Sequence, residues 1–176
     1  AAGGALAVVI NSATAKVLIG KAIIESTNGN VVIEAANTEK MINIVGSASA
    51  APTGKASAAG VLIVLISDTE AKVNIADGAS VTAHKDVQIL ANTKSTLVDV
   101  TLAVSAGGST AAVGATIAVN ILKHKANITL GRVTLLSKAG DVIVATNGED
   151  VSVIIALAGG ASKGTGISGT IPVFVT

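Results

Sequence analysis

The stretch Ala15–Gly20, which reads AKVLIG, decides the fold because two variants of it follow along the chain. Ala71–Ala76 reads AKVNIA and Ala126–Gly131 reads ANITLG, so the spacing is about 55 residues. Within each variant, apolar residues alternate with other residues, which is the pattern of a β-strand rather than a helix. A strand that recurs at a fixed spacing indicates a repeat protein.

A second landmark keeps the same spacing. Gly29–Ile33 reads GNVVI, Lys85–Ile89 reads KDVQI and Gly140–Val144 reads GDVIV. In each case a pair of turn-forming or polar residues leads into an alternating apolar segment. The two landmarks stay in phase with each other, so the whole unit repeats and not only one strand of it.

The repeats span residues 1–55, 56–110 and 111–165, and residues 166–176 open a fourth. A self-contained solenoid ends in atypical capping repeats, whereas this pattern begins and stops inside the repeat. We therefore expect either a window of a longer repetitive protein or a subunit whose open ends meet neighbouring copies.

Composition agrees with strands. Half of the residues are hydrophobic, but only 1% are aromatic, so the apolar content is carried by Ala, Val, Ile and Leu. Turn-forming sequences separate the alternating segments at Thr27–Asn30, Ala76–Gly78 and Thr146–Gly148. This spacing predicts four or five short strands in each repeat, arranged in about two coils.

Equivalent positions that carry equivalent apolar residues are expected when strands of successive coils stack about 4.8 Å apart. The sequence therefore predicts an all-β fold, a parallel β-solenoid in which Val17, Val73 and Ile128 lie in axial register. We expect a right-handed β-helix, because the hexapeptide pattern of narrow left-handed coils is missing. The main alternative is an antiparallel sandwich, which also uses short strands.

Several classes of function are disfavoured by composition. The net charge of +1 provides no cationic footprint for nucleic acid, and the absence of cysteine excludes disulfide scaffolds and thiolate metal sites. Apolar runs such as Ala58–Ile66 are too short for a transmembrane helix, so we expect no membrane insertion. Neither a phosphate-binding loop nor the calcium nonapeptide pattern is present, and we predict no cofactor and no metal.

The two landmarks resemble the repeats of large filamentous bacterial surface proteins, in the style of leukotoxin-type adhesins and haemagglutinin-like passengers. The resemblance rests on segments such as Ala15–Gly20 and Gly29–Ile33 and covers all three repeats; the second repeat departs from it at Ala76 and Lys85. It implies an extracellular right-handed β-helix at the bacterial cell surface, exported through an outer-membrane partner. It also implies a stalk or adhesin.

Catalytic chemistry is poorly supported. A nucleophile needs a base within hydrogen-bond reach. His84 and His124 fall at non-equivalent repeat positions, and the sequence around them indicates no catalytic triad. We expect both histidines to be exposed turn residues. The chain also lacks the tyrosine and tryptophan platforms on which carbohydrate-active β-helix enzymes hold sugars.

Two carboxylate pairs have the composition of acid/base or calcium sites. Asp68 and Glu70 share one face if that segment is extended, whereas Glu149 and Asp150 are expected in a turn. Neither pair recurs in another repeat, so we interpret both as solvated surface. We predict no catalytic, cofactor-binding or metal-ligating residue, and Asp68 and Glu70 would be the candidates if the chain were an enzyme.

Charged residues change sign between repeats. Lys21, Asp77 and Arg132 occupy nearly equivalent positions, and the pair Asp68 and Glu70 precedes Lys123 and Lys125 by one repeat. The sequence allows two interpretations of these charges: they attract each other between stacked repeats, or they form a solvated face.

One feature exceeds what an isolated solenoid needs. Ala5–Ile10 and Val61–Ile66 are apolar at both parities of the alternation, so the outward side of these strands also requires cover. Either the segment that precedes such a strand, for example Gly46–Ala59, folds back over it, or another chain makes a lateral contact.

The sequence as a whole favours a non-enzymatic structural protein, a stalk or adhesin section that gives length, stiffness and surface display. Its partners would be itself or neighbouring repeats, through end stacking and lateral apolar contact, together with host or cell-surface molecules. The alternatives are a subunit of a self-assembling extracellular filament and, least favoured, a fragment of a carbohydrate-active β-helix enzyme.

Overall fold

The computed structural model describes residues 1–52, 55–108 and 110–176, and every element in it is a β-strand. No helix long and apolar enough to cross a membrane occurs among these residues. The strands are β1 (Ala2–Ile19), β2 (Ile23–Ser26), β3 (Val31–Ala50), β4 (Ser57–Ile75), β5 (Ser80–Ala83), β6 (Val87–Ala106), β7 (Ala111–Leu130), β8 (Thr134–Ser137), β9 (Val142–Ala161) and β10 (Thr165–Val175).

The strands form three parallel sheets. Sheet A has the order β1-β4-β7-β10, sheet B has the order β2-β5-β8, and sheet C has the order β3-β6-β9. Each coil therefore contributes one long strand to sheet A, a short strand to sheet B and a long strand to sheet C. The chain is a parallel β-solenoid, as predicted, and the parallel pairing throughout the described sheets excludes the antiparallel sandwich.

Each repeat makes one coil with three strands, so the prediction of about two coils and four or five strands per repeat is wrong. The long strands run straight through sequences that look like turns: Thr146–Gly148 lies inside β9, opposite Ala91–Thr93 of β6. A complete ladder of backbone hydrogen bonds to the preceding coil holds these residues extended. Thr27–Asn30 and Ala76–Gly78 do lie between strands, and Gly78 adopts a φ of 78°, which a side chain would disfavour.

The predicted axial register is confirmed. Val17 of β1 is the partner of Val73 of β4, which in turn is the partner of Ile128 of β7. The ladder continues past the strand ends, because the Ala76 N–H donates to the Ile19 carbonyl at 2.8 Å. Each coil thus serves as a template for the backbone of the next.

The largest buried cluster lies where all three sheets meet, and further buried aliphatic residues such as Ile63 and Leu97 lie between sheets A and C. The completely buried residues of the largest cluster include Val73 and Ile75 of sheet A, Val81 of sheet B, and Val87 and Ile89 of sheet C. These residues stack on aliphatic partners in the neighbouring coils, so the interior consists of like side chains in columns.

The rest of each coil is a flat arm in which sheets A and C face each other directly. In the first coil it comprises residues 1–14 and 37–52. Two serines of β3 connect the sheets, since Ser47 Oγ donates to the Gly60 carbonyl at 2.9 Å and Ser49 Oγ to the Ala58 carbonyl at 2.6 Å. Small inward residues such as Gly3 and Ala59 allow this close approach.

The turn before sheet C explains the Gly-Asn/Asp-Val landmark. Asn30 Oδ1 accepts the N–H of Asp86 at 3.2 Å, and Asp86 Oδ1 accepts the N–H of Asp141 at 3.0 Å. A β-carbon on Gly140 would come within 2.2 Å of that Asp86 oxygen, so a side chain at this position would displace the Asp86 carboxylate. The landmark is therefore a side-chain ladder that joins successive coils as well as a turn.

Candidate interaction surfaces and the polar interior

The outer surface of sheet A in the flat arm is built of aliphatic columns. Alternation in β4 places odd-numbered residues inside, which leaves Leu62, Val64 and Ile66 pointing outward. Their partners in the other coils are aliphatic at every position. We call this surface the apolar face: its columns are Leu6, Leu62, Ile117 and Ile171; Val8, Val64, Val119 and Val173; Ile10, Ile66, Ile121 and Val175.

The apolar face is uncovered by the described chain. Ile10 is 73% exposed and Leu6 is 68% exposed. The prediction that Gly46–Ala59 folds back over it is wrong, because residues 46–50 continue β3 within sheet C and residues 57–59 begin β4. Thr53 and Gly54 of that segment lie outside the described residues. Cover for this face would have to come from elsewhere.

A groove of small residues runs beside the first column of the apolar face. Gly4 is the partner of Gly60, which pairs with Ala115, which pairs with Gly169. The first three of these positions, together with the adjoining Leu6, Leu62 and Ile117 side chains, line a shallow depression of about 400 Å³. The surface is therefore a ridge of large side chains next to a groove that follows the solenoid axis.

The apolar face ends abruptly at a polar boundary. The column after Ile10 consists of Ser12, Asp68 and Lys123, and the next consists of Thr14, Glu70 and Lys125. The predicted register of these opposite charges on adjacent coils is confirmed, and both acids lie on the outward side of β4.

Sheet C also carries exposed aliphatic residues over the flat arm. Ile44 is 75% exposed, and its partners in the next two coils are Val100 and Ile155. Leu102 and Leu157 extend this outer surface toward the turn. The flat arm is thus apolar on both outer sides, and its interior combines buried aliphatic residues such as Ile63 and Leu97 with small and polar ones.

Polar side chains occupy the interior of the flat arm. Glu39 accepts hydrogen bonds from Asn11 and from Ser67 Oγ, the latter at 2.7 Å, so one carboxylate joins β1, β3 and β4. Asp99 is 0% exposed; its Oδ1 accepts from Asn43 Nδ2 at 2.8 Å, whereas its Oδ2 has no hydrogen-bond partner among the residues that the structure describes. Sequence analysis missed this cluster, although Glu39 and Asp99 share the inward parity of the core residues.

His124 belongs to the interior, so the prediction of an exposed turn residue is wrong for it. Its side chain is only 7% exposed, and it lies within β7. Nδ1 is 2.7 Å from Thr69 Oγ1 and 3.3 Å from Asp150 Oδ1, whereas Nε2 is buried and finds no hydrogen-bond partner in the described part of the chain. A catalytic relay needs the nucleophile and the carboxylate on opposite ring nitrogens, and here both meet the same one.

The other candidate residues are separated by the fold. His84 is exposed in a bend, as predicted. Glu149 and Asp150 lie in β9 and not in a turn, and they point to opposite sides of sheet C: Glu149 pairs with Lys94 outside, and Asp150 faces His124 inside. They do not form a carboxylate pair.

Several charged side chains pair between successive coils. Asp77 accepts from the Arg132 backbone N–H at 2.8 Å and from its guanidinium at 3.2 Å. Lys94 Nζ lies 3.0 Å from Glu149. All four side chains are more than half exposed, so each pair contributes only about 0–1 kcal/mol.

Within residues 1–52, 55–108 and 110–176, no group of three or more acidic or histidine side chains is placed to hold a metal ion. The sequence matches no protein-family model, and comparisons with curated proteins and with solved structures give no match. The surfaces described above are accordingly the basis for a functional proposal.

Proposed function

We propose that the chain is a structural section of a filamentous bacterial surface protein, a stalk or adhesin segment that works outside the cell and carries no catalytic activity. One observation carries this proposal: three successive coils match strand for strand, with offsets that stay between 54 and 56 residues across the long sheets. A repeat in which each coil positions the backbone of the next suits a protein whose function depends on its extended shape.

The dimensions indicate what kind of shape this is. Each coil uses about 55 residues and advances along the axis by only about 4.8 Å. The long strands of sheets A and C instead provide width, since a 20-residue strand such as β3 or β6 spans about 65 Å. The architecture therefore favours a broad, stiff blade with a large lateral surface over an economical long rod.

Surface display fits the outward positions that differ between coils. Asp68 and Glu70 are followed in the next coil by Lys123 and Lys125, whereas the inward positions of the three-sheet core stay aliphatic. Outward residues change at little cost to folding, because exposed substitutions away from packing contacts have small effects on stability. Host or cell-surface molecules would be bound by this variable outer surface.

Tandem arrays test the proposal. Arrays of three, six and nine coils, extended by duplicating residues 56–110, are expected to lengthen along the axis by about 15 Å for every three coils, with constant width. Small-angle X-ray scattering and negative-stain microscopy measure both dimensions. Arrays that do not lengthen in this way, or turnover of any member of a panel of acidic polysaccharides by the intact chain, would contradict it.

A self-assembling extracellular filament subunit is the second candidate. The uncovered apolar face favours it, since exposed patches of this kind mark association surfaces. Sedimentation across a concentration series, with negative-stain microscopy, distinguishes the two candidates: fibres favour the filament subunit, and a monomer or a closed dimer that does not grow further at high concentration favours the stalk.

A further inference from the structure

We infer that the apolar face pairs with the apolar face of a second copy of this chain, so that two solenoids lie side by side with parallel axes, related by a two-fold axis that runs along the solenoid direction. The inference deepens the proposed structural function and rests on it. The geometry of the ridge and the groove leads to this arrangement.

The ridge and groove are complementary to themselves. The ridge is the column Leu6, Leu62, Ile117 and Ile171, and the groove is the column Gly4, Gly60, Ala115 and Gly169. A two-fold axis placed between these columns, parallel to the solenoid axis, reverses the strand direction and lays each ridge in the groove of the partner. Closed two-fold pairing of this kind uses one patch twice.

Other orientations fit less well. A two-fold axis that runs along the strands would place each column opposite the same column of the partner, so that ridge would meet ridge and groove would meet groove. The preferred axis also places the column of Val8 over the column of Ala2, again a large residue against a small one in the first two coils. Packing of two sheets needs such interdigitation at a separation of about 10 Å.

The polar boundary agrees with this axis, because the contact ends before it reaches the charged columns. With the axis between the Gly4 and Leu6 columns, the column of Ile10 lies at the margin of the contact, and the column of Asp68 and Lys123 lies outside the columns that pair. These charges stay in water, so pairing buries aliphatic side chains without burying an unpaired charge.

The area is sufficient for association. The contact comprises the columns that begin at Ala2, Gly4, Leu6, Val8 and Ile10. These five columns, about 6.6 Å apart on four strands about 4.8 Å apart, cover roughly 600 Å² on each partner. The total of about 1,200 Å² lies at the lower limit of stable interfaces. We therefore expect a reversible dimer with a dissociation constant in about the micromolar range.

A lipid surface would suit the apolar face less well. Any solenoid ends in strand edges with unpaired N–H and C=O groups, which the hydrocarbon region does not tolerate. The flatness of the columns also favours a second sheet over fluid chains, because in-register side chains present fixed knobs and holes. A second copy satisfies both conditions.

Filling the groove tests the pairing. A β-carbon at Gly60 or Gly169 meets no atom of residues 1–52, 55–108 and 110–176 within 4 Å, so the double variant Gly60→Ile and Gly169→Ile is expected to fold normally. It adds apolar surface but removes the space for the ridge, and we expect the dissociation constant measured by sedimentation equilibrium to rise at least about tenfold. Gly159→Ile, on the outer surface of sheet C, also meets no atom within 4 Å and is the matched control.

Disulfide trapping tests the geometry independently, since the chain contains no cysteine. In an equimolar mixture of Gly60→Cys and Leu62→Cys proteins, mixed disulfides are expected to exceed the statistical half, because each position faces the other across the two-fold axis. A predominance of either homodisulfide, or a statistical mixture, would overturn the arrangement.

The remaining outcomes are also decisive. A monomer up to about 1 mM, unchanged or tighter association of the groove-filled variant, or an equal loss in Gly159→Ile would overturn pairing through this face. Flotation of the chain with phosphatidylcholine vesicles in place of dimerisation would instead support a lipid partner. If pairing fails while the tandem arrays still lengthen by about 4.8 Å per coil, the proposed structural function stands without it.

Discussion

Gly114 of β7 faces Gly159 of β9 across the flat arm so closely that a β-carbon on Gly114 would come within 2.5 Å of the Gly159 carbonyl oxygen. The obstructing atoms belong to backbone, which cannot rotate away. The close approach of the two sheets here therefore depends on glycine at position 114, and a larger residue at this position would force sheets A and C apart locally.

Gly114→Ala is expected to lower the free energy of unfolding by about 1–3 kcal/mol, because the added methyl group overpacks the contact between the sheets. Gly60→Ala is the control, since its β-carbon would point into open space and alanine is a better strand residue than glycine. Chemical denaturation of both variants measures the difference. Equal stabilities would show that the sheets are not held at this separation.

Asp99→Asn is expected to stabilise the protein by about 1–2 kcal/mol. Asp99 is fully buried and no described residue hydrogen-bonds to its Oδ2, and an uncompensated carboxylate costs more to bury than an amide. The amide oxygen can still accept from Asn43. Asp68→Asn, on the outward side of β4, provides the control and should change stability by less than about 0.5 kcal/mol.

Thermal and denaturant unfolding measures the stabilities of the Asp99→Asn and Asp68→Asn variants relative to the parent protein. A less stable Asp99→Asn protein would mean that the charged form is favourably solvated inside the flat arm, and the description of Asp99 as an uncompensated group would be wrong.

Asp86→Ala is expected to lower stability by about 0.5–1.5 kcal/mol, since the Asp141 N–H loses its acceptor. Asp86→Asn keeps the Oδ1 acceptor and should restore most of the stability. Amide hydrogen exchange at Asp141 provides the local measurement, with faster exchange in the alanine variant only. If both variants exchange alike, the turn ladder contributes nothing to the joining of coils.

The Lys94–Glu149 pair is expected to couple weakly. Both side chains are about half exposed, so a double-mutant cycle with Lys94→Met and Glu149→Gln should give a coupling energy of about 0.2–1 kcal/mol that decreases with added salt. A coupling above about 2 kcal/mol would assign this outer pair a structural role that its exposure does not support.

Ile75→Ala and Ile10→Ala contrast the two sides of sheet A. Ile75 is completely buried in the three-sheet core, and its truncation should cost about 2–5 kcal/mol. Ile10 is 73% exposed, so its truncation should leave the stability of the monomer within about 0.5 kcal/mol of the parent protein. A large loss for Ile10→Ala in the monomer would show that the apolar face is covered by the chain itself.

Much of the fold follows from the repeat. Matching residues such as Val17 and Val73 stack because a repeat that preserves inward side chains lets each coil copy the hydrogen bonds and packing of the last. Sequence reasoning failed on the number of coils per repeat, because Thr146–Gly148 has turn-forming composition but lies in β9. The backbone ladder to β6 overrides that local preference.

The candidate surfaces, too, could be predicted from the sequence only in part. Apolar residues at both parities in Ala5–Ile10 revealed from sequence that the outer side needs a partner, but the alternation could not show whether Gly46–Ala59 covers it. The environment of His124 was equally hidden, because Thr69 and Asp150 reach it from another coil and from the opposite sheet.

The amino-acid sequence alone determined the repeat length, the alternation and hence the stacked register, because these depend on which residues recur and on the two-residue period of a strand. Only the tertiary structure decided where each coil turns, which polar groups meet inside the flat arm, and that the apolar face stays open. Those features depend on contacts between strands tens of residues apart, and a local pattern carries no information about which strands come to face each other.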